Sequence, residues 1–255
     1  MQGKIFDKPT MWWQRTLTSV TLIAIVSLSA CHPKTFAPKE GDLLFCISGD
    51  SPMSEAISEA TASSDSLSFD HVAMVCFDNG KPFVIEACPK DGVQRISLEE
   101  FLAERLSVKD NNKATESRSF CGGKKGLWTK ERRRLGGKNG NSAGGKGAGV
   151  VVMRVYCDFS VKEAVHRAES MLGLPYDWSY LPDNNKLYCS ELIYESYLNP
   201  AGDHIFQSRP MNFLSPDGTF PQFFSTLGEE IPQGTPGTNP NDLAHESCLV
   251  EVYRY

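Results

Sequence analysis

The sequence contains no run of twenty apolar residues, which excludes an ordinary membrane-spanning helix of about that length. It has only five histidines, and its eight cysteines include no C-x-x-C pair, so no zinc site is expected. No other metal and no cofactor is expected either. There are no internal repeats. The overall charge of −5 is mild and by itself names no partner.

That small net charge hides an asymmetry. Residues 107–149 carry a net charge of +8 and the remainder −13. The basic stretch includes Gly122-Gly-Lys-Lys-Gly126 and Glu131-Arg-Arg-Arg134, has almost no apolar periodicity, and reads as an insertion without a core of its own. The N-terminus reads as an export signal. Lys4, Lys8 and Arg15 precede an apolar and small stretch, Leu17 to Ala30, too short to span a bilayer and of signal-peptide character. Met11 is an alternative start. The signal ends Leu28-Ser29-Ala30-Cys31, which resembles the bacterial lipobox, where the cysteine is lipidated and becomes the first mature residue. The expected organisation is a signal peptide at 1–30, a tether at 31–40 and one domain at 41–255. The expected location is the cell envelope, with a lipid anchor on Cys31 and, in a diderm host, the outer membrane or periplasmic side. Acyl chains there would hold the protein on the membrane, and for an exported protein the basic stretch does not indicate nucleic acid.

The domain reads as α+β. Strand-like runs at 42–47, 69–77, 83–87, 150–156 and 248–253 alternate with helical stretches near 52–61, 98–106, 161–172 and 189–198. A long Pro/Gly-rich loop is expected before the last strand. Ser160 and Gly173 cap and end the helix between them. Cys46, Cys76, Cys157 and Cys248 lie in apolar runs and read as small core residues.

Tyr188-Cys189-Ser190 opens an amphipathic helix after a Pro/Asp/Asn-rich loop. A helix start carries roughly half a positive charge. That charge favours thiolate, and the free N–H groups there suit a developing oxyanion. Upstream, the turn signal Asp78-Asn79-Gly80-Lys81 predicts a two-residue hairpin loop. That register sets Ala73 opposite Glu86 and makes His71 and Glu86 diagonal neighbours on one face, within side-chain reach. A longer loop would turn Glu86 away. A carboxylate on an apolar strand needs a partner. Cys189 as nucleophile, His71 as base and Glu86 as orienter satisfy the logic of cysteine hydrolases. Tyr176 and Tyr188 are secondary candidates for an oxyanion or substrate hydrogen bond, and Asp177 reads as a loop carboxylate.

The stretch "GLPYDWSY…YCSELIYESY" resembles the nucleophile region of NlpC-type papain-like peptidases. Here, however, the best histidine strand precedes the cysteine. That order, with "GDLLF", "FVIEA" and "IPQGTPGTNPNDL", resembles the circularly permuted YiiX/YaeF group of papain-like amidases. The resemblance implies a small antiparallel sheet or barrel packed on helices, with the cysteine helix against the sheet. It maps the family roles onto Cys189, His71 and Glu86, and implies a cell-wall peptide or another small amide as substrate. Two other functions remain open. One is lipid acyl hydrolysis or transfer on the same three residues, which calls for an exposed apolar rim beside Cys189; Phe206, Phe213, Phe220, Phe223 and Phe224 could supply it or could simply be core. The other is a non-catalytic envelope binding lipoprotein.

Overall fold

The computed structural model describes residues 36–47, 52–61, 67–106, 149–214 and 218–255. The expected signal segment, Cys31 and the basic insertion apart from Gly149 lie outside the described residues. Among the described residues no helix is long and apolar enough to cross a membrane.

A six-stranded antiparallel sheet organises the domain. In chain order its strands are β1 (Leu43–Ile47), β2 (Phe69–Asp78), β3 (Lys81–Cys88), β4 (Gly92–Ser97), β5 (Val150–Val155) and a last strand, Leu249–Arg254. Across the sheet the order is β4-β3-β2-β1-β5 and then that last strand. The Asn79-Gly80 turn puts both residues at positive φ (49° and 76°), as a type I′ hairpin requires. The register then runs from Asp78↔Lys81 to Met74↔Ile85; continued by one residue it places Ala73 opposite Glu86, as the turn residues imply.

Alternation along the strands feeds two cores. Leu43, Phe45, Val72, Met74 and Ile85 face one way. On that side lie α1 (Pro52–Thr61), α3 (Val161–Ser170), α4 (Cys189–Ser196) and α5 (Thr219–Leu227). Leu44, Cys46, Ala73, Val75, Val84 and Val152 face the other way, under Leu98 and Phe101 of α2 (Leu98–Leu106). A two-stranded ribbon, β6 (Arg209–Pro210) with β7 (Pro236–Gly237), precedes α6 (Pro240–Ala244) and the last strand, β8.

Three expectations need correction. β4 lies outside the strands expected from the sequence, because "GVQRIS" carries too little apolar alternation at the sheet edge. The loop before β8 holds a helix, α5, flanked by Gly218 and Gly228 in left-handed conformation. Its Pro221 sits in the first turn, where no N–H is needed. Finally, Cys46 and Cys76 are buried, but Cys157 and Cys248 are only half-buried. They flank the β5–β8 pairing as hydrogen-bonded neighbours.

Candidate active site

The loop that delivers Cys189 is pinned at both ends. Leu174 O accepts from Val93 N–H and Val93 O from Gly173 N–H, each at 2.8 Å, which ties it to edge strand β4. Gly92 makes that approach feasible. Its φ is +72°, and a Cβ there would lie 2.2 Å from Leu174 O. Farther on, Leu187 N–H donates to Pro175 O at 3.1 Å and Asp177 N–H to Leu187 O at 3.2 Å, closing the loop on itself. The Asp177 carboxylate accepts from Ser179 N–H, Ser179 Oγ and Leu181 N–H. It is a loop carboxylate, as expected.

Tyr188 caps α4 and Cys189 is its first residue. Glu191 accepts from Tyr188 N–H at 3.4 Å; burial pushes its carboxyl up to about 8. Behind the helix, the Tyr197 hydroxyl donates to Gly41 O at 2.6 Å, and Arg167 Nε of α3 donates to Ser196 O at 2.8 Å. The C-terminal end of α4 is therefore fixed to the body of the domain.

His71 follows a bulge. Cys46 and Ile47 of β1 pair with His71 and Phe69, so Asp70 is the extra residue. Bulges bend a strand and re-aim its side chains. His71 is 2% exposed and Glu86 fully buried, and their Nε2 and Oε2 lie 2.7 Å apart. The side chain of Cys189, which is 6% exposed, interacts with the same imidazole. With Nε2 committed to Glu86, Nδ1 is the nitrogen left for the thiol. The structure thus brings the three sequence candidates into one chain of contacts.

Charge in this chain is set by competing influences. Burial, the largest, pulls the His71 pKa down, as does Arg105; the bonds to Cys189 and Glu86 outweigh them and raise it to about 9. Burial also favours the neutral form of Glu86, but the bond to His71, the charges of His71 and Arg105, and a bond from Gln94 lower its pKa to about 2. The pair is ionised across the neutral range.

Two of these partners escape sequence reasoning. Gln94, opposite Glu86 in the β3–β4 register, donates to Oε1 at 2.9 Å. Arg105, in the last turn of α2, donates to Oε2 at 3.2 Å. Finding Gln94 required β4, and Arg105 looks like any cation at an exposed helix C-terminus.

Beside Cys189 lies a cavity of about 50 Å³, lined among others by Asp70, Tyr176, Tyr180, Ser190, Phe213 and Thr238. Ser190 Oγ and Thr238 Oγ1 are buried with no hydrogen-bond partner among the described residues. Tyr176 lines the cavity, hydrogen-bonded to Tyr180, which sequence reasoning passed over. Tyr180 is held at φ +54°, uncommon for a bulky side chain. Tyr188 also lines the cavity, but its hydroxyl accepts from Thr238 N–H at 3.2 Å and donates to Met211 Sδ at 3.6 Å. That hydroxyl ties α4 to the β6–β7 ribbon. The five downstream phenylalanines are all buried and form no exposed rim; Phe213 and Phe220 line the cavity from within.

A cysteine at a helix start, an imidazole on an adjoining antiparallel sheet and a buried carboxylate behind it are the parts of a papain-like cysteine hydrolase, with the histidine strand moved ahead of the cysteine. The chain belongs to the permuted papain-like amidase family, YaeF/YiiX, whose model matches residues 37–119 and 146–253. It is therefore a papain-like hydrolase acting on small amide or peptide substrates. A curated relative, protein YiiX of Escherichia coli K12, is 26% identical over 218 residues, 84% of each chain. The crystal structure of metalloprotein yiiX from Escherichia coli O157:H7 shares the fold with a TM-score of 0.59 at 23% identity, covering 86% of this chain and 99% of that one. Among the described residues here, no three His, Cys, Asp or Glu side chains group as metal ligands.

Proposed function

We propose that this protein is a lipid-anchored cell-envelope amidase in which Cys189, His71 and Glu86 act as a catalytic triad on cell-wall peptides or other small amides. The observation that carries this reading is the buried contact chain from Cys189 through His71 to Glu86, closed by the 2.7 Å bond. Cys189 Sγ attacks the amide carbonyl carbon as its proton is held by His71. The tetrahedral oxyanion is met by the N–H groups of the first turn of α4, which have no intrahelical acceptor. His71 then gives its proton to the leaving nitrogen, the C–N bond breaks and an acyl-thioester remains. Water attacks the thioester while His71 takes its proton, the C–S bond breaks and the free acid leaves. Throughout, Glu86 stays ionised and holds the imidazole. The small cavity suits a compact group beside the scissile bond, and the absence of an exposed phenylalanine rim weighs against long acyl chains.

The Leu28-Ser29-Ala30-Cys31 motif supports lipid attachment. Two measurements test the proposal. Iodoacetamide labelling of the mature form with Cys31 removed should modify Cys189 rapidly below pH 7 and slowly in His71→Ala. A Cys189 that reacts like an ordinary thiol, unchanged by His71→Ala, sinks the triad. Incorporation of a labelled fatty acid, lost in Cys31→Ser, tests the anchor.

A further inference from the structure

The geometry points to Arg105 as a positioning residue that locks the Glu86 carboxylate in the orientation serving His71. An isolated glutamate carboxylate turns about its last torsion in a broad, two-fold well. Among the described residues, three donors on three elements fix that plane. Gln94 of β4 bonds Oε1 at 2.9 Å. His71 of β2 and Arg105 of α2 share Oε2 at 2.7 and 3.2 Å. The guanidinium is itself held, 5.3 Å over the ring of fully buried Phe101, on a helix whose Leu98 and Phe101 are anchored in the core beneath it. A lysine in this position has charge but no planar fork and no matching stack.

Sharing one oxygen has a second consequence. Arg105 divides the Glu86 charge with His71 and sets a cation near the imidazolium. Among the described residues, the charged and titratable groups around His71 are Cys46 from β1, Asp70 from β2, Glu86 from β3, Arg105 from α2 and Cys189 from α4. Of these, Arg105 is the cation that opposes imidazole protonation. Arg105 therefore keeps the proton on His71 from being held too tightly to pass to a leaving group.

This inference rests on the triad reading, but its test does not need turnover. The His71 imidazole is titrated by NMR in the full chain carrying labelled histidine, assigned with His71→Ala, alongside the pH profile of Cys189 alkylation. Arg105→Gln should raise the His71 midpoint by about one unit or more, and the alkaline limb of alkylation should move with it. Arg105→Lys, which keeps the charge and guards against failure to fold, should leave the midpoint near that of the wild type yet slow alkylation several-fold. An unmoved midpoint in Arg105→Gln, accompanied only by a lower Tm, overturns the inference. So does an Arg105→Lys variant that alkylates at the wild-type rate. If instead the midpoint shifts while wild-type Cys189 shows no enhanced reactivity, the hydrolase reading fails and the role of Arg105 toward Glu86 and His71 stands.

Discussion

The side chain of Asn241 closes on both main-chain groups of Phe69: its Oδ1 accepts the Phe69 N–H at 2.7 Å and its Nδ2 donates to the Phe69 carbonyl at 2.9 Å. The same Nδ2 donates to Thr61 Oγ1 at 2.6 Å. One amide in α6 therefore clamps the start of β2, two residues before His71 and beside the bulge at Asp70, to the end of α1. Asn239 caps α6 by accepting from Asp242 N–H at 2.8 Å, and Pro240 occupies its first turn.

Asn241→Ala removes this clamp and leaves buried main-chain groups without partners, which costs about 1–3 kcal/mol. We expect a lower denaturant midpoint and, because β2 is released next to His71, slower alkylation of Cys189 by iodoacetamide. If stability falls but alkylation keeps its rate, the clamp acts on folding alone.

The His71–Glu86 pair makes stability depend on pH in both directions. The His71 pKa rises from 6.5 to about 9 on folding, so its contribution is complete below 6.5 and is lost as pH climbs through 9. The Glu86 pKa falls from 4.5 to about 2, so its contribution is complete above 4.5 and is lost as pH drops through 2. Both contributions are complete between pH 4.5 and 6.5. Urea unfolding across pH 3–10 should show stability from this pair highest in that window, and His71→Ala should flatten the alkaline decline. An alkaline decline unchanged in His71→Ala would show that other groups cause it.

Removing one member of that buried pair should be expensive. Glu86→Ala strands a buried imidazolium and Arg105 together, and breaking a buried pair in this way costs about 3–5 kcal/mol. Glu86→Gln keeps the shape and is expected to fold, yet it lowers the proton affinity of His71. Its alkylation profile should lose the alkaline plateau before the wild type does. A Glu86→Gln profile that overlays the wild type would remove Glu86 from the proposed triad.

Much of this site is written locally. Asn79-Gly80 dictates the turn, the turn dictates the register, and the register makes His71 and Glu86 meet, so a two-residue signal sets a contact across fifteen residues. Cys189 is legible because a helix start is a local pattern. Gln94 and Arg105 are not legible, because their meaning lies in where β4 and α2 pack rather than in their neighbours. Asn241 is the same case: "NPND" announces a cap, but nothing in it announces Phe69. α5 was hidden by glycines at both ends and a proline in its first turn, which read as loop punctuation until a core forms beneath Phe220, Phe223 and Phe224.

Gly92 offers a test of the nucleophile loop at a distance. An alanine Cβ at 2.2 Å from Leu174 O, on a backbone at φ +72°, cannot be accommodated without separating the loop from β4. Gly92→Ala should lower Tm and broaden the NMR signals of residues 173–188 more than those of β1 and β5. Uniform broadening would mean that the glycine supports the sheet as a whole rather than this attachment.

The half-buried thiols of Cys157 and Cys248 lie beside the pairing that carries edge strand β8, where Tyr156 N–H donates to Cys248 O at 2.8 Å. Being hydrogen-bonded neighbours, they need little movement to come within disulfide range. Diamide, a two-electron oxidant, should take one hydrogen from each thiol and leave a Cys157–Cys248 bond, which peptide mapping in a Cys189→Ser background would locate. The bond would staple β8 to β5 by restricting the unfolded chain, adding about 2–4 kcal/mol, and would raise Tm only under non-reducing conditions. Cys157→Ser should abolish both the cross-link and the redox-dependent Tm. Failure to cross-link under diamide, with both thiols still open to alkylation after unfolding, would show that the strands hold the two sulfurs apart.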